Sequence, residues 1–511
     1  MLLTLIILLV RVREKGTLKN KQLLVLGGGT AGWLTALYLK KVFPFYTTTL
    51  IESKEIGIIG VGEATTPNIV TFLKYLNIDV FDLIQKTKGS IKNGISFENW
   101  NGDNKKYFHG FFENLTPFSL PPIFTADCFN YYLQNLIHKK LDFNTHTYIT
   151  KLSYENKIDL QRTLYALHFD TNLLSQYLHA VGTYRGINYV NGKLKKVSND
   201  AKGNISKITL DNNKSFSCDF IFDCSGFNRL LIGKHFNTQW KSYKKYLPMK
   251  QAIPFWLNHN GAIPPYTIAL AMKHGWIWKI PLQHRIGAGY IFDSDYINRD
   301  QALAEAEKTL GTKLDVSRVI NFEAGRYESF WHKNCIAVGL SSSFIEPLES
   351  TSIFLTIQQL FNLNHFLNEL FIPTRKSINL YNEMASKNMD ETLNFVYLHY
   401  LTKRKDSLFW KNFNKNYPPP PEFQHKLDLL KENNLKHLDI EETKKSASFP
   451  IMSYLMIANG LKLFTKKINM THYKDVTPNI KQYLSLINSA THRAMTHNSF
   501  LSHVNNSIDL V

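Results

Sequence analysis

The sequence predicts an α/β fold: a parallel nucleotide-binding sheet, a second β-rich layer, and a mainly helical C-terminal region. Three observations carry this prediction. An apolar run from Leu23 to Leu26 breaks into Gly27-Gly28-Gly29-Thr30-Ala31-Gly32 and resumes at Trp33-Leu34. Three short apolar runs between Lys193 and Asp223, separated by Ser-Asn-Asp and Asp-Asn-Asn, read as a β-meander. Past about Ile353 the apolar residues Phe354, Ile357, Leu360, Phe361, Leu363 and Phe366 recur at helical spacing, a broad stripe suited to core packing.

The glycine run is a strand, a tight turn and a helix. Gly27 permits the turn, Gly29 lets the backbone approach a pyrophosphate, and Gly32 allows close packing of the helix. The new helix, opening at Thr30 and Ala31, offers free N–H groups to phosphate. Thr47 to Ile51 is a second strand ending in Glu52, placed to hydrogen-bond a ribose. This order of elements points to dinucleotide binding without separating FAD from NAD. Asp219 to Gly226 reads as a strand ending beside the cofactor, and Asn334 to Gly339 as another. A meander placed before the Asp223-Cys224-Ser225-Gly226 turn suits a glutathione-reductase-like FAD-binding fold.

The segment Gly275-Trp276-Ile277-Trp278-Lys279-Ile280-Pro281 is the most specific in the chain. In an extended strand both indoles lie on one face, where they either fill a core or wall off one chamber from another. Three further segments accompany it. These are Gly60-Val61-Gly62-Glu63-Ala64-Thr65, Gly89-Ser90-Ile91-Lys92-Asn93-Gly94, and Glu346-Pro347-Leu348-Glu349-Ser350-Thr351-Ser352. Together they resemble the motifs of flavin-dependent tryptophan halogenases, and the resemblance spans roughly Lys21 to Trp410.

The resemblance implies roles for individual residues. Lys92 is the catalytic lysine and Glu349 the carboxylate facing it. Gly62, Glu63 and Ala64 belong to a loop that straps the cofactor and relays between flavin and halide sites, while Trp276 and Trp278 partition the two chambers. Thr351 and Ser352 offer backbone N–H groups to the halide. His109 and Phe111, in Phe108-His109-Gly110-Phe111, contact an aromatic substrate. The implied reaction uses FADH2 from a separate NAD(P)H-dependent flavin reductase, with O2 and chloride or bromide, to make hypohalous acid. That oxidant halogenates an electron-rich arene by electrophilic substitution.

The residue types suit this chemistry. An ammonium can hydrogen-bond hypohalous acid, and a neutral amine can capture the halogen as a haloamine; a desolvated lysine reaches both forms. A carboxylate beside it can stabilise a cationic arene and remove its proton. Two departures from the family pattern stand out. Ser352 replaces a glycine, adding bulk and a hydroxyl where the halide would sit. No tryptophan follows Trp410, and Tyr417, Tyr454, Tyr473 and Tyr483 are isolated, so the family's clamp for a free amino acid is not recognisable. Indole or another electron-rich arene is therefore favoured over free tryptophan.

Two alternatives stay open at the level of sequence: an FAD-dependent aromatic monooxygenase, and an inactive flavoprotein acting as a binding module. The first leaves Lys92 and the paired tryptophans unexplained. With 511 residues, 44% hydrophobic and 13% aromatic, the chain supports a large core. The expected organisation is an extension over residues 1–20, expected to be disordered, a core over 21–352, and a helical region over 353–511 packed on it. The net charge of +19 is spread without a compact basic array or a nucleic-acid motif, so a nucleic-acid partner is not expected. A positive field suits halide, anionic flavin or an acidic reductase. Cys128, Cys218, Cys224 and Cys335 lack paired spacing, which argues against a disulfide framework or a zinc site and for a reducing cytoplasm. Met1 to Val10 is too short to span a bilayer, and its charges follow the apolar run where a signal peptide would have them first. Homo-oligomerisation stays open.

Overall fold

The computed structural model describes residues 20–55, 60, 62–111, 147–259, 261–316, 318–366, 373–432, 435, 439, 448–465 and 477–506, with 477–483 described for the backbone only. Residues 1–19 of the proposed extension, Cys128, Tyr473 and the side chain of Tyr483 lie outside these residues.

The first strand, Gln22–Leu26, is an apolar run buried on both faces, as the centre of a parallel sheet requires. It pairs in parallel with Thr47–Glu52 on one side and Phe220–Asp223 on the other. Asn188–Asn191 and Cys335–Ala337 extend the sheet in parallel, and Trp331–His332 closes one edge antiparallel. The helix Thr30–Val42 follows the glycine turn and buries Trp33, Leu34, Leu37 and Tyr38. The meander is present as Leu194–Asn199, Ile205–Leu210 and Ser215–Ser217, paired antiparallel.

The second layer is a seven-stranded sheet. Its order is Ile320–Asn321, Gln251–Leu257, Ile286–Phe292, Gly275–Pro281, Thr267–Ala271, Gly94–Glu98 and Lys106–Gly110. Register fixes what shares a face. Trp278 stands opposite Ala269, which stands opposite Phe97 and then Tyr107, while Thr267 is aligned with Ile95 and His109. With a side-chain period of two, Trp276, Trp278, Tyr107 and His109 all project from the same face. Gly289 makes this possible: a Cβ there would lie 2.1 Å from the Trp278 ring. A small third sheet, Glu63–Ala64, Ala166–Phe169 and Ser90–Lys92, joins the two layers.

The C-terminal region is helical, with Thr351–Phe366, Arg375–His399, Leu408–Asn416, Pro421–Lys431, Ile451–Gly460, Thr477–Arg493 and His497–Asn506. Four prolines, Pro418 to Pro421, separate Leu408–Asn416 from the next helix and supply its first residue; Pro420 is buried. Cys218, Cys224 and Cys335 are free thiols, and the described residues hold no cluster of metal-ligating groups. No described helix is long and apolar enough to cross a membrane.

Candidate active site

A cavity of about 970 Å³ opens at the C-terminal ends of the parallel strands. Gly27, Gly28, Gly29, Thr30, Ala31 and Glu52 line one end of it. Gly27 takes a φ of +123°, and a Cβ on it would lie 2.1 Å from the Cys224 carbonyl, so only glycine serves. Gly32 likewise has no room for a side chain, with its Cβ position 1.9 Å from the Gly27 carbonyl oxygen. Gly29, in contrast, faces open space. Glu52 is held by the Tyr189 hydroxyl at 2.8 Å. Bare backbone amides at a helix N-terminus and a carboxylate at the end of the second strand are what a dinucleotide requires, and the cavity fits FAD.

The strapping loop connects this cavity to Lys92. Gly60, Gly62, Glu63 and Ala64 line the cavity, and Thr30 Oγ1 donates to Glu63 Oε1 at 2.9 Å. Burial raises the Glu63 pKa, against the lowering effect of that hydrogen bond. The next residue, Thr65, accepts from Lys92 Nζ through its carbonyl at 2.8 Å. Its own hydroxyl and amide are tied to Leu167, which holds the loop in place.

Lys92 is fully buried at the end of Ser90–Lys92. Besides Thr65, Nζ donates to Ser350 Oγ at 2.7 Å, and it lies 5.2 Å from the Phe111 ring centroid. Burial brings its pKa down to about 7, with Glu349 opposing the shift. Ser350 itself lines the cavity, so Lys92 is one side chain removed from it. Ser350 adopts a φ of +59°, a left-handed conformation at the end of the Pro347–Glu349 turn that aims its hydroxyl at Lys92.

Glu349 forms no ion pair with Lys92; two imidazoles hold it instead. His109 Nδ1 lies 3.0 Å from both carboxylate oxygens, and His399 Nε2 lies 2.7 Å from Oε1. Burial pushes the Glu349 pKa up, but the charge and hydrogen bond of His109, then those of His399, outweigh it and hold the group at about 2. His109 Nε2 is also engaged, by Ser453 Oγ at 2.9 Å. With both ring nitrogens occupied, His109 can offer an arene only its ring face and edge.

Thr351 and Ser352 open the 16-residue helix Thr351–Phe366, where the first amides lack intrahelical partners and the helix dipole favours an anion. The hydroxyl of Thr351 is buried with no hydrogen-bond partner, and Ser352 lines the cavity. This set of donors fits a halide. Trp278 lines the cavity, whereas Trp276 stands behind it, edge-on at 6.4 Å between ring centroids.

Sequence reasoning missed His399, Ser350, Thr65 and Ser453. His399 carried a faint signal, since it is the one basic residue in the apolar end of Arg375–His399, and a buried imidazole needs a partner. Tyr417 donates to Asp293 and accepts the Tyr397 hydroxyl through its carbonyl, and Tyr454 packs against Phe395.

A dinucleotide cavity at the ends of a parallel sheet, one side chain from a buried lysine, defines a nucleotide-cofactor enzyme. The tryptophan halogenase family model matches residues 22–475, and the chain belongs to that family. Tryptophan 6-halogenase SttH of Streptomyces toxytricini is 32% identical over 76% of this chain and 80% of its own length. Tryptophan 7-halogenase RebH of Lentzea aerocolonigenes is 30% identical over 81% and 82%. Among solved structures, Xcc4156, a flavin-dependent halogenase from Xanthomonas campestris, superposes with a TM-score of 0.85 at 28% identity, covering 95% of this chain and 98% of that one. The protein is a flavin-dependent halogenase, an oxidoreductase that uses FAD, supplied in reduced form by a separate reductase, and halide.

Proposed function

We propose that the protein halogenates an indole-bearing substrate at a position set by Lys92. The observation that carries this is the state of Lys92: fully buried, hydrogen-bonded to Thr65 and Ser350 beside the cavity, with a pKa of about 7. Bound reduced FAD, with O2 and halide, supplies hypohalous acid. Gly27, Gly29, Thr30, Ala31, Gly32 and Glu52 hold the nucleotide end of the cofactor; Gly62, Glu63, Ala64 and Trp278 border the cavity nearer Lys92, with Trp276 behind. The amides of Thr351 and Ser352 bind halide.

Lys92 then presents the oxidant to the arene. Near neutral pH its charged and neutral forms are both populated, so it can hydrogen-bond hypohalous acid or carry the halogen on nitrogen. Glu349 remains ionised beside it, stabilises positive charge on the ring and accepts the departing proton. Phe111 and the face of His109 offer flat surfaces for the arene. The lack of any tryptophan after Trp410 favours indole or a larger indole-bearing molecule over free tryptophan, because a zwitterion's charges would need buried partners. Three free, buried or half-buried thiols support a reducing cytoplasmic setting.

The test is product mass spectrometry with purified protein, FAD, a flavin reductase, NADH and O2. Indole, tryptophan and other arenes are supplied with chloride or bromide, and catalase is present. A halogen isotope pattern that depends on the enzyme is expected with indole. Hydroxylated product alone would replace this reading with a monooxygenase.

A further inference from the structure

The loop before Glu349 carries a second buried carboxylate that the reaction as described does not use. Glu346 is 1% exposed. Its Oε1 accepts from the Trp276 indole N–H at 3.1 Å and from the Tyr400 hydroxyl through a short hydrogen bond. Its Oε2 is buried without a hydrogen-bond partner, and no cation pairs with it among the described residues. Both donors are neutral, and burial lifts its pKa to about 7 against those two hydrogen bonds.

The register of the seven-stranded sheet gives this arrangement meaning. Trp276 and His109 lie on the same face but on strands separated by two others. The Glu346–Glu349 turn crosses that face, with Glu346 fastened to Trp276 at one side and Glu349 to His109 at the other. Two consecutive residues at the end of Arg375–His399 close it from above, His399 on Glu349 and Tyr400 on Glu346. Tyr400 is itself wedged between Trp100 and Trp410, with ring centroids 5.9 and 6.0 Å away. The turn that presents Ser350 to Lys92 is therefore anchored at two points, and one anchor also fixes an indole of the partition.

We propose that Glu346 is a positioning residue: through Oε1 it locks the Trp276 indole and the Ser350 turn together, so that hypohalous acid reaches Lys92 and does not escape. This rests on the reading of Lys92 given above. What the site needs from Glu346 is a buried acceptor of fixed geometry, not a negative charge. Glutamine supplies the same acceptor, and leucine fills similar space without one.

The experiment compares Glu346→Gln, Glu346→Leu and Trp276→Phe as FAD-loaded enzymes. It measures halogenated indole formed per O2 consumed, free hypohalous acid caught by a scavenger, FAD affinity and thermal midpoint. Glu346→Gln is expected to stay within about twofold of the parent in product per O2. Glu346→Leu and Trp276→Phe are each expected to lose about tenfold, the worth of a buried hydrogen bond to a carboxyl group, with scavenged oxidant rising and FAD affinity unchanged. Trp276→Phe keeps the reading available if Glu346→Leu does not fold. Tight coupling in Glu346→Leu, or in Trp276→Phe where leucine fails to fold, overturns the proposal, as does a loss in Glu346→Gln equal to that in Glu346→Leu. Lys92→Ala in the same assay separates the two levels. It should release oxidant without arene product, and if it still halogenates normally, the Lys92 assignment itself fails.

Discussion

Replacing Lys92 by methionine should change how stability depends on pH while abolishing halogenation. A fall in pKa from 10.5 in the unfolded chain to about 7 in the fold, at 1.36 kcal/mol per unit, amounts to about 5 kcal/mol against the charged form. The sign follows from proton counting. Between pH 7 and 10.5 the unfolded chain holds a proton on Lys92 that the folded chain has shed, so stability rises with pH across that window. The penalty is fully present below pH 7 and gone above 10.5. Lys92→Met has no such term, although it leaves the Thr65 carbonyl and Ser350 hydroxyl without their donor, a pH-independent cost of about 1–3 kcal/mol for each group. Denaturant unfolding of both proteins at pH 7, 8 and 9 should show the parent gaining about 2 kcal/mol on the variant over the series. A difference that stays flat from pH 7 to 9 would mean that Lys92 titrates like a surface lysine, and the chemistry assigned to it would lose its basis.

Glu349→Gln should reduce halogenation by about 10²–10⁴-fold while FAD affinity is kept, as measured by product formation and flavin titration. Because Glu349 is held at about 2, its contacts with His109 and His399 stabilise the fold above pH 4.5 by about 3 kcal/mol, and this is lost as pH falls from 4.5 towards 2; the variant should show a shallower acid transition by circular dichroism. Gly289→Ala places a Cβ 2.1 Å from the Trp278 ring and should cost about 1–3 kcal/mol, read as a lower thermal midpoint together with weaker FAD binding. Ser352→Gly opens space at the head of Thr351–Phe366 and should lower the KM for bromide more than that for chloride, by roughly fivefold, in halide titrations of product formation.

Local chemistry made much of the fold legible. Gly27 and Gly32 are glycines because neighbouring carbonyls exclude a Cβ, and the spacing of Trp276 and Trp278 placed both on one face because strands alternate. Glu349 lies close enough to Lys92 to act on its charge, but no ion pair links them. The resemblance sets Glu349 facing Lys92. In the fold the Pro347–Glu349 turn sends Glu349 to His109 and His399, and the left-handed Ser350 reaches Lys92. His399 lies 50 residues from Glu349, and Ser453 lies 344 from His109. No local periodicity encodes such contacts; they arise from how the helical region packs over the seven-stranded sheet. His497 makes the same point, since its Nε2 accepts the Ile91 amide from 406 residues away and braces the edge strand that carries Lys92.

The most direct test of the central claim is the regiochemistry of indole halogenation in the presence of catalase, compared between the parent, Lys92→Ala and reagent hypohalous acid. The account predicts one dominant regioisomer from the parent and none from Lys92→Ala. A mixture from the parent matching that of the free reagent would mean that the oxidant acts in solution and that Lys92 does not direct it.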